Sequence, residues 1–225
     1  GADAAIAQAD RLPAPQPPRA AALSRQEPGL RPSRALPYAV DVAQDWADDG
    51  ARLRLALANA GQAAVVLHVY DRLDAVAPPR RYTIEPGRRL VDVWPLRDGA
   101  GPAYDLQVHG PNGFLRAYRG SRRLRDIAVA THDDAGGRLD WTVEGSADAG
   151  LSLHDGYGRR GPRTLPPDAR LAWQDDLSAQ HHWYDFVLRS AADPLFLRRA
   201  AGRVETGRDG VSDIGLAGPP TRRGT

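Results

Sequence analysis

The sequence predicts an all-β fold: two tandem small β-sandwich domains related by internal duplication. Three observations carry this reading. Short runs of alternating apolar and polar residues are separated by turn-forming residues, no segment has an apolar stripe at helical spacing over about ten residues, and the first set of runs recurs in the second half.

In the first copy, Tyr38, Val40 and Val42 alternate with polar or small residues, and Leu53, Leu55 and Leu57 alternate with Arg52, Arg54 and Ala56. Each pattern puts one strand face inward and the other in water. "DDG" at 48–50 supplies a hairpin turn between them. "VVLHVY" (65–70), rich in β-branched residues, is followed by "RYTI", "LVDVW" and "YDLQV", with "APP", "EPGR" and "DGAGP" as the breaks. The second copy supplies "DIAVAT", "RLDWTV", "LSLH", "LAWQ" and "YDFVL", which predicts about six or seven strands per copy.

The copies align through Leu53 with Leu139, Asp71 with Asp155, Pro86 with Pro167, Trp94 with Trp173, Tyr104 with Tyr184, Phe114 with Phe196, and Gly120 with Gly202. The offsets drift by single insertions, as loops of varying length between retained elements would give. A period of about 80 residues is that of tandem domains and too long for a solenoid. The expected organisation is a linker over 1–33, sandwiches over 34–121 and 122–207, and a flexible tail over 208–225.

Composition narrows the function classes. Apolar content of 42% with 26% charge suits a globular core. All thirty basic residues are arginine, and cysteine and methionine are absent, so disulfides and thiolate metal sites are excluded. A net charge of +2 without a basic stripe predicts no nucleic-acid partner. No apolar run is long enough for a transmembrane segment. The first twenty residues lack the basic and apolar regions of a signal peptide, and together with the missing initiator methionine they predict a piece excised from a longer chain.

Catalytic patterns are missing. No G-x-S-x-G elbow, H-E-x-x-H pair, phosphate-binding loop or dinucleotide fingerprint occurs, and His68, His109, His132, His154, His181 and His182 are scattered. No catalytic, cofactor-binding or metal residue is predicted. "HDDAGGRLD" (132–140) lacks the D-x-D-x-D-G spacing of a calcium loop and reads as a turn, like "ADDGARL" in the first copy. Trp94 and Trp173, at matching places, read as core residues. The candidate interface residues are Trp46 and Trp183, which lack matching partners, His181 and His182 beside Trp183, and Arg122 and Arg123 in the dense cluster "RGSRRLR" (119–125). That cluster is either a solvated linker or a patch for phosphate or anionic lipid.

"ALPYAVDV", "VLHVYDRL", "PRRYTIEPGRRLVDVWP", "YDLQVHGPNGFLRAYRG" and "FLRRAAGRVETGRDGVSD" resemble the C-terminal domain family of bacterial phospholipases C, the phosphatidylcholine-cleaving enzymes with haemolytic and non-haemolytic forms. The resemblance covers most of residues 1–213 and is more specific in the first copy. It implies that cleavage belongs to a larger N-terminal catalytic domain absent from this sequence. No family catalytic residue therefore falls on any position here, and the fragment itself is no enzyme. A secreted or periplasmic location is implied only through the parent. The expected partners are the parent's catalytic domain, which the pair packs on and supports, or alternatively a phospholipid surface.

Overall fold

In the computed structural model, residues 29–125, 127–133, 137–144, 149–165 and 171–217 are described. The strands, in chain order, are β1 (Pro32–Ser33), β2 (Val40–Ala47), β3 (Arg52–Asn59), β4 (Val65–Asp71), β5 (Arg80–Ile84), β6 (Arg88–Pro95), β7 (Tyr104–His109) and β8 (Leu115–Gly120). They continue as β9 (Ala128–Asp133), β10 (Arg138–Glu144), β11 (Leu151–Asp155), β12 (Arg163–Thr164), β13 (Leu171–Asp176), β14 (Trp183–Ser190), β15 (Leu197–Arg203) and β16 (Gly210–Val211). The helical elements among the described residues are short 3-10 turns, and the fold is all-β as expected.

One antiparallel eight-stranded sheet, ordered β12-β11-β14-β15-β8-β7-β4-β5, runs through both halves of the chain. Two three-stranded sheets, β2-β3-β6 and β13-β10-β9, complete the two halves. The alternation read from sequence decides which face is buried. Leu53, Leu55 and Leu57 join Leu67, Ile84, Leu106 and Val108 in one core, while Leu139, Trp141 and Val143 join Tyr184, Phe186 and Leu188 in the other. Both cores have sheet residues on two sides, the arrangement of packed sandwiches. The expected "DDG" hairpin is a 3-10 turn with Asp48 and Gly50 at positive φ, 51° and 90°.

The halves meet through β8 and β15, which pair antiparallel with Ala117 opposite Arg199, Arg116 opposite Ala200, and Tyr118 opposite Arg198. A strand that ends one half therefore has no free inner edge.

Two expectations need correction. The segments read as linker and tail are not wholly so, because Pro32 and Ser33 pair with Val211 and Gly210, and Ile214 beyond them is buried. Two residues of backbone pairing require no apolar pattern, so proline- and glycine-rich composition concealed them. Residues 1–28 of that linker and 218–225 of that tail lie outside the described residues, as do 134–136 of the 132–140 turn. The second correction concerns register. Leu53 faces Trp94 across β3 and β6, whereas Leu139 faces Asp175 and Trp141 faces Trp173 across β10 and β13. Leu53 with Leu139 and Trp94 with Trp173 cannot both be equivalent pairs. A two-residue slip keeps every side chain on its face and so leaves no trace in the alternation.

Candidate functional site

The most organised polar cluster lies at the β8–β15 seam. Arg116 on β8 and Arg198 on β15 are 4% and 3% exposed, buried deeply enough that each guanidinium needs acceptors from the protein. Arg198 donates through Nη1 to the carbonyls of Arg119 and Leu197, and through Nη2 to the Tyr104 phenol oxygen at 2.8 Å. Arg116 does the converse: Nη1 reaches the carbonyls of Leu115 and Ala201, and Nη2 the Tyr184 phenol at 3.0 Å. Each guanidinium also lies over a phenylalanine two residues before it, Arg116 at 4.4 Å from the Phe114 ring and Arg198 at 4.5 Å from that of Phe196. Each half thus places an arginine on the other's tyrosine.

The glycines that close β8 and the β14–β15 pairing make room for those phenols. Gly120 is the cross-strand neighbour of Tyr104, and a Cβ on it would come within 2.5 Å of the phenol oxygen. Gly202 stands opposite Tyr184, where a Cβ would come within 3.3 Å, at a φ of 150°. Phe-Leu-Arg and the trailing glycine, legible as a repeated fold signature, thus form one clasp.

The six candidate interface residues do not form one surface. Trp183 is 2% exposed, and its indole N–H donates to the Val211 carbonyl at 2.9 Å, which corrects the expectation of an exposed contact. The returning β16 covers it, and sequence spacing could not show that cover. Trp46 is half-buried, donates to the Arg125 carbonyl at 2.7 Å, and stands edge-on to Tyr104 at 5.6 Å. His181 and His182 both take positive φ, 53° and 69°, at the bend into β14. His181 is exposed, whereas the His182 ring lies 3.3 Å from the Gly137 carbonyl. Arg122 and Arg123 are exposed after β8, Arg122 pairing with Asp98 at 3.0 Å.

Three features had no sequence signal. Asp92 on β6 accepts from the Tyr82 phenol and from Arg80 at 2.5 Å, while the Arg80 guanidinium lies 3.8 Å over the Trp94 ring. Burial pushes the Asp92 carboxyl up, but the Tyr82 and Arg80 donors and the Val93 N–H hold it below its usual range. Burial also pushes Asp105 up, against the partial opposition of Arg119 and Arg72. Finally, a shallow groove of about 380 Å³ on β4 and β7 is lined by Tyr38, Val66, His68, His109 and Pro111. Burial, then Arg72 and His68, holds the His109 imidazole below its ordinary value.

Among the described residues, no group of three or more His, Asp or Glu side chains is placed to share a metal ion. No helix of the described residues is long and apolar enough to cross a membrane.

Comparison with known proteins gives these features a context. Residues 32–121 match the family described as "Bacterial phospholipase C, C-terminal domain". The chain is 39% identical over 229 aligned residues to a non-hemolytic phospholipase C of Pseudomonas aeruginosa, covering 96% of this chain and 33% of that protein. It is 37% identical over 211 residues to a non-hemolytic phospholipase C of Burkholderia pseudomallei, covering 88% and 30%. Identity is 30% over 222 residues to the hemolytic phospholipase C of Pseudomonas aeruginosa, covering 85% and 30%. The chain thus spans about a third of the length of the curated relatives it matches. Residues 32–121 thus belong to the C-terminal domain family of bacterial phospholipases C, and similarity to phospholipases C extends over 85–96% of the chain.

Proposed function

We propose that this chain is the non-catalytic C-terminal accessory region of a secreted bacterial phospholipase C, and that it works by packing on the catalytic domain and supporting it. The observation that carries this reading is the match to a C-terminal domain family within relatives about three times as long. In it, phosphatidylcholine-type lipid breakdown belongs to the part of the parent outside this sequence. Two tandem sandwiches locked by reciprocal Arg–Tyr bonds suit a rigid support, because those bonds are buried and cross from each half to the other. The test mixes this chain with the separately purified catalytic domain. The expected result is a complex by gel filtration and a raised unfolding temperature of the catalytic domain. If deletion of this region from the parent leaves activity, stability and secretion unchanged, the reading fails.

A second reading, attachment to a phospholipid surface, draws on one strand. Along β6, Arg88, Arg89, Leu90 and Val91 are all exposed, with Leu90 at 39% and Val91 at 56%. Each arginine near an anionic bilayer contributes about 1 kcal/mol, and next to nothing over a zwitterionic one. Co-sedimentation with anionic and with phosphatidylcholine vesicles at low salt decides it, since absence from both pellets removes this reading.

A further inference from the structure

We propose that the seam between the two halves is a binding site for one small monovalent anion, chloride being the common example, held between Arg116 and Arg198.

The site is a small recess on the inward side of β8 and β15, lined also from β2, β9 and β10, with Arg116, Tyr118, Arg198, Val42, Thr131 and Trp141 among its walls. Its volume is about 20 Å³. That exceeds the roughly 10–15 Å³ one water-sized body needs, and it is too small for an organic ligand. An ion of halide size matches it.

Charge selects an anion over a neutral guest. Both arginines are more than nine-tenths buried, and a guanidinium keeps its proton at any ordinary pH. Arg198 uses Nη1 and Nη2 on carbonyls and on Tyr104, while its Nε finds no hydrogen-bond partner. No carboxylate of the described residues forms an ion pair with Arg198. The faces of Phe196, Tyr104 and Tyr118 lie 4.5, 5.4 and 5.8 Å from its guanidinium carbon. Those rings offer a quadrupole but no counter-charge. A buried cation away from water calls for an opposite charge. Phenol and carbonyl groups satisfy hydrogen bonds without cancelling that charge.

Hydrogen-bond direction points the same way. The Tyr118 hydroxyl already donates to the Val42 carbonyl at 2.9 Å, and an indole N–H is a donor only. A halide accepts from N–H donors and from the Thr131 hydroxyl, which also lines the recess, and has no protons to place, whereas a water must turn its two onto the Thr131 or Tyr118 oxygen. The inference is independent of the proposed role in the parent enzyme, because it concerns how the two halves of this chain are joined.

The test uses the whole chain. Crystals grown in sodium bromide, measured at the bromine absorption edge, are expected to show an anomalous peak between Arg116 and Arg198. In solution, the unfolding midpoint is expected to rise with the logarithm of chloride concentration and to stay flat in sodium gluconate of equal ionic strength. Arg198→Met should abolish the chloride response, and so should Ala200→Val, which narrows the recess while retaining both arginines. If Arg198→Met does not fold, Ala200→Val and the unaltered chain still decide. A recess without anomalous signal, holding an ordered water only, overturns the proposal, as does an equal response to chloride and gluconate.

Discussion

The Arg198 guanidinium of β15 donates to the Tyr104 phenol oxygen of β7 at 2.8 Å, across the boundary between the two hydrophobic cores. Tyr104→Phe leaves a buried charged donor without that acceptor, and the expected cost is about 1–3 kcal/mol. Tyr184→Phe, on the other side of the seam, should cost a similar amount. The unaltered chain should unfold in one transition by near-UV circular dichroism and tryptophan fluorescence alike. Removing both phenols should separate the two signals.

Gly120→Ala acts on the same clasp from behind. The new Cβ would lie 2.5 Å from the Tyr104 oxygen and must push the ring away from Arg198. Overpacking of this kind costs about 1–3 kcal/mol. The diagnostic result is that Gly120→Ala loses part of its effect in a Tyr104→Phe background, measured as a double-mutant cycle in urea, the remainder coming from the ring Cζ at 2.9 Å.

Asp105 should show an unusual sign. Its carboxyl is raised by burial, so the folded state favours the protonated form. Stability associated with that proton is fully present below the ordinary carboxylate range and is lost as pH rises through the raised value. Asp105→Asn is therefore expected to raise the unfolding midpoint at pH 7 and to match the unaltered chain at about pH 3. Midpoints across that range check it.

Asp92 should behave in the opposite way. Its carboxyl is held low on balance, so its contribution is present above the ordinary carboxylate range and disappears as pH falls through the lowered value. Tyr82→Phe removes one of its donors, and should cost about 1 kcal/mol at pH 7 and progressively less in acid. Parallel acid titrations of the two proteins test the convergence.

Trp183→Ala should be among the costliest single changes, about 3–5 kcal/mol, because it empties a buried site under β16 and leaves the Val211 carbonyl of that strand without its indole donor. Truncation after residue 207 should reproduce part of that loss in chemical denaturation.

The sheets were legible because leucines 53, 55 and 57, and tyrosine, leucine and valine at 104, 106 and 108, declare a buried face through strict alternation. The clasp was visible only as repetition. Phe-Leu-Arg recurs at 114–116 and 196–198, but nothing in the string says that each arginine crosses to the other half. Which strands become neighbours is a tertiary matter, and alternation has no memory of partner or register. The same limit explains Trp183, where an aromatic without a match in the other copy suggested exposure and the two-residue strand at Gly210–Val211 covers it.

The pairing of Ala117 with Arg199 has a consequence for anyone who divides this chain. Residues 29–121 expressed alone would carry β8 as an open border, and that border is nearly its own complement. Antiparallel association of two such fragments about Ala117 would set Arg116 of one molecule across from Tyr118 of its twin and bring it toward the twin's Tyr104. The severed half is therefore expected to elute as a two-fold dimer in gel filtration, with a charged residue at position 117 returning it to a monomer. The intact chain already contains within one polypeptide the association that its separated halves would have to find by collision.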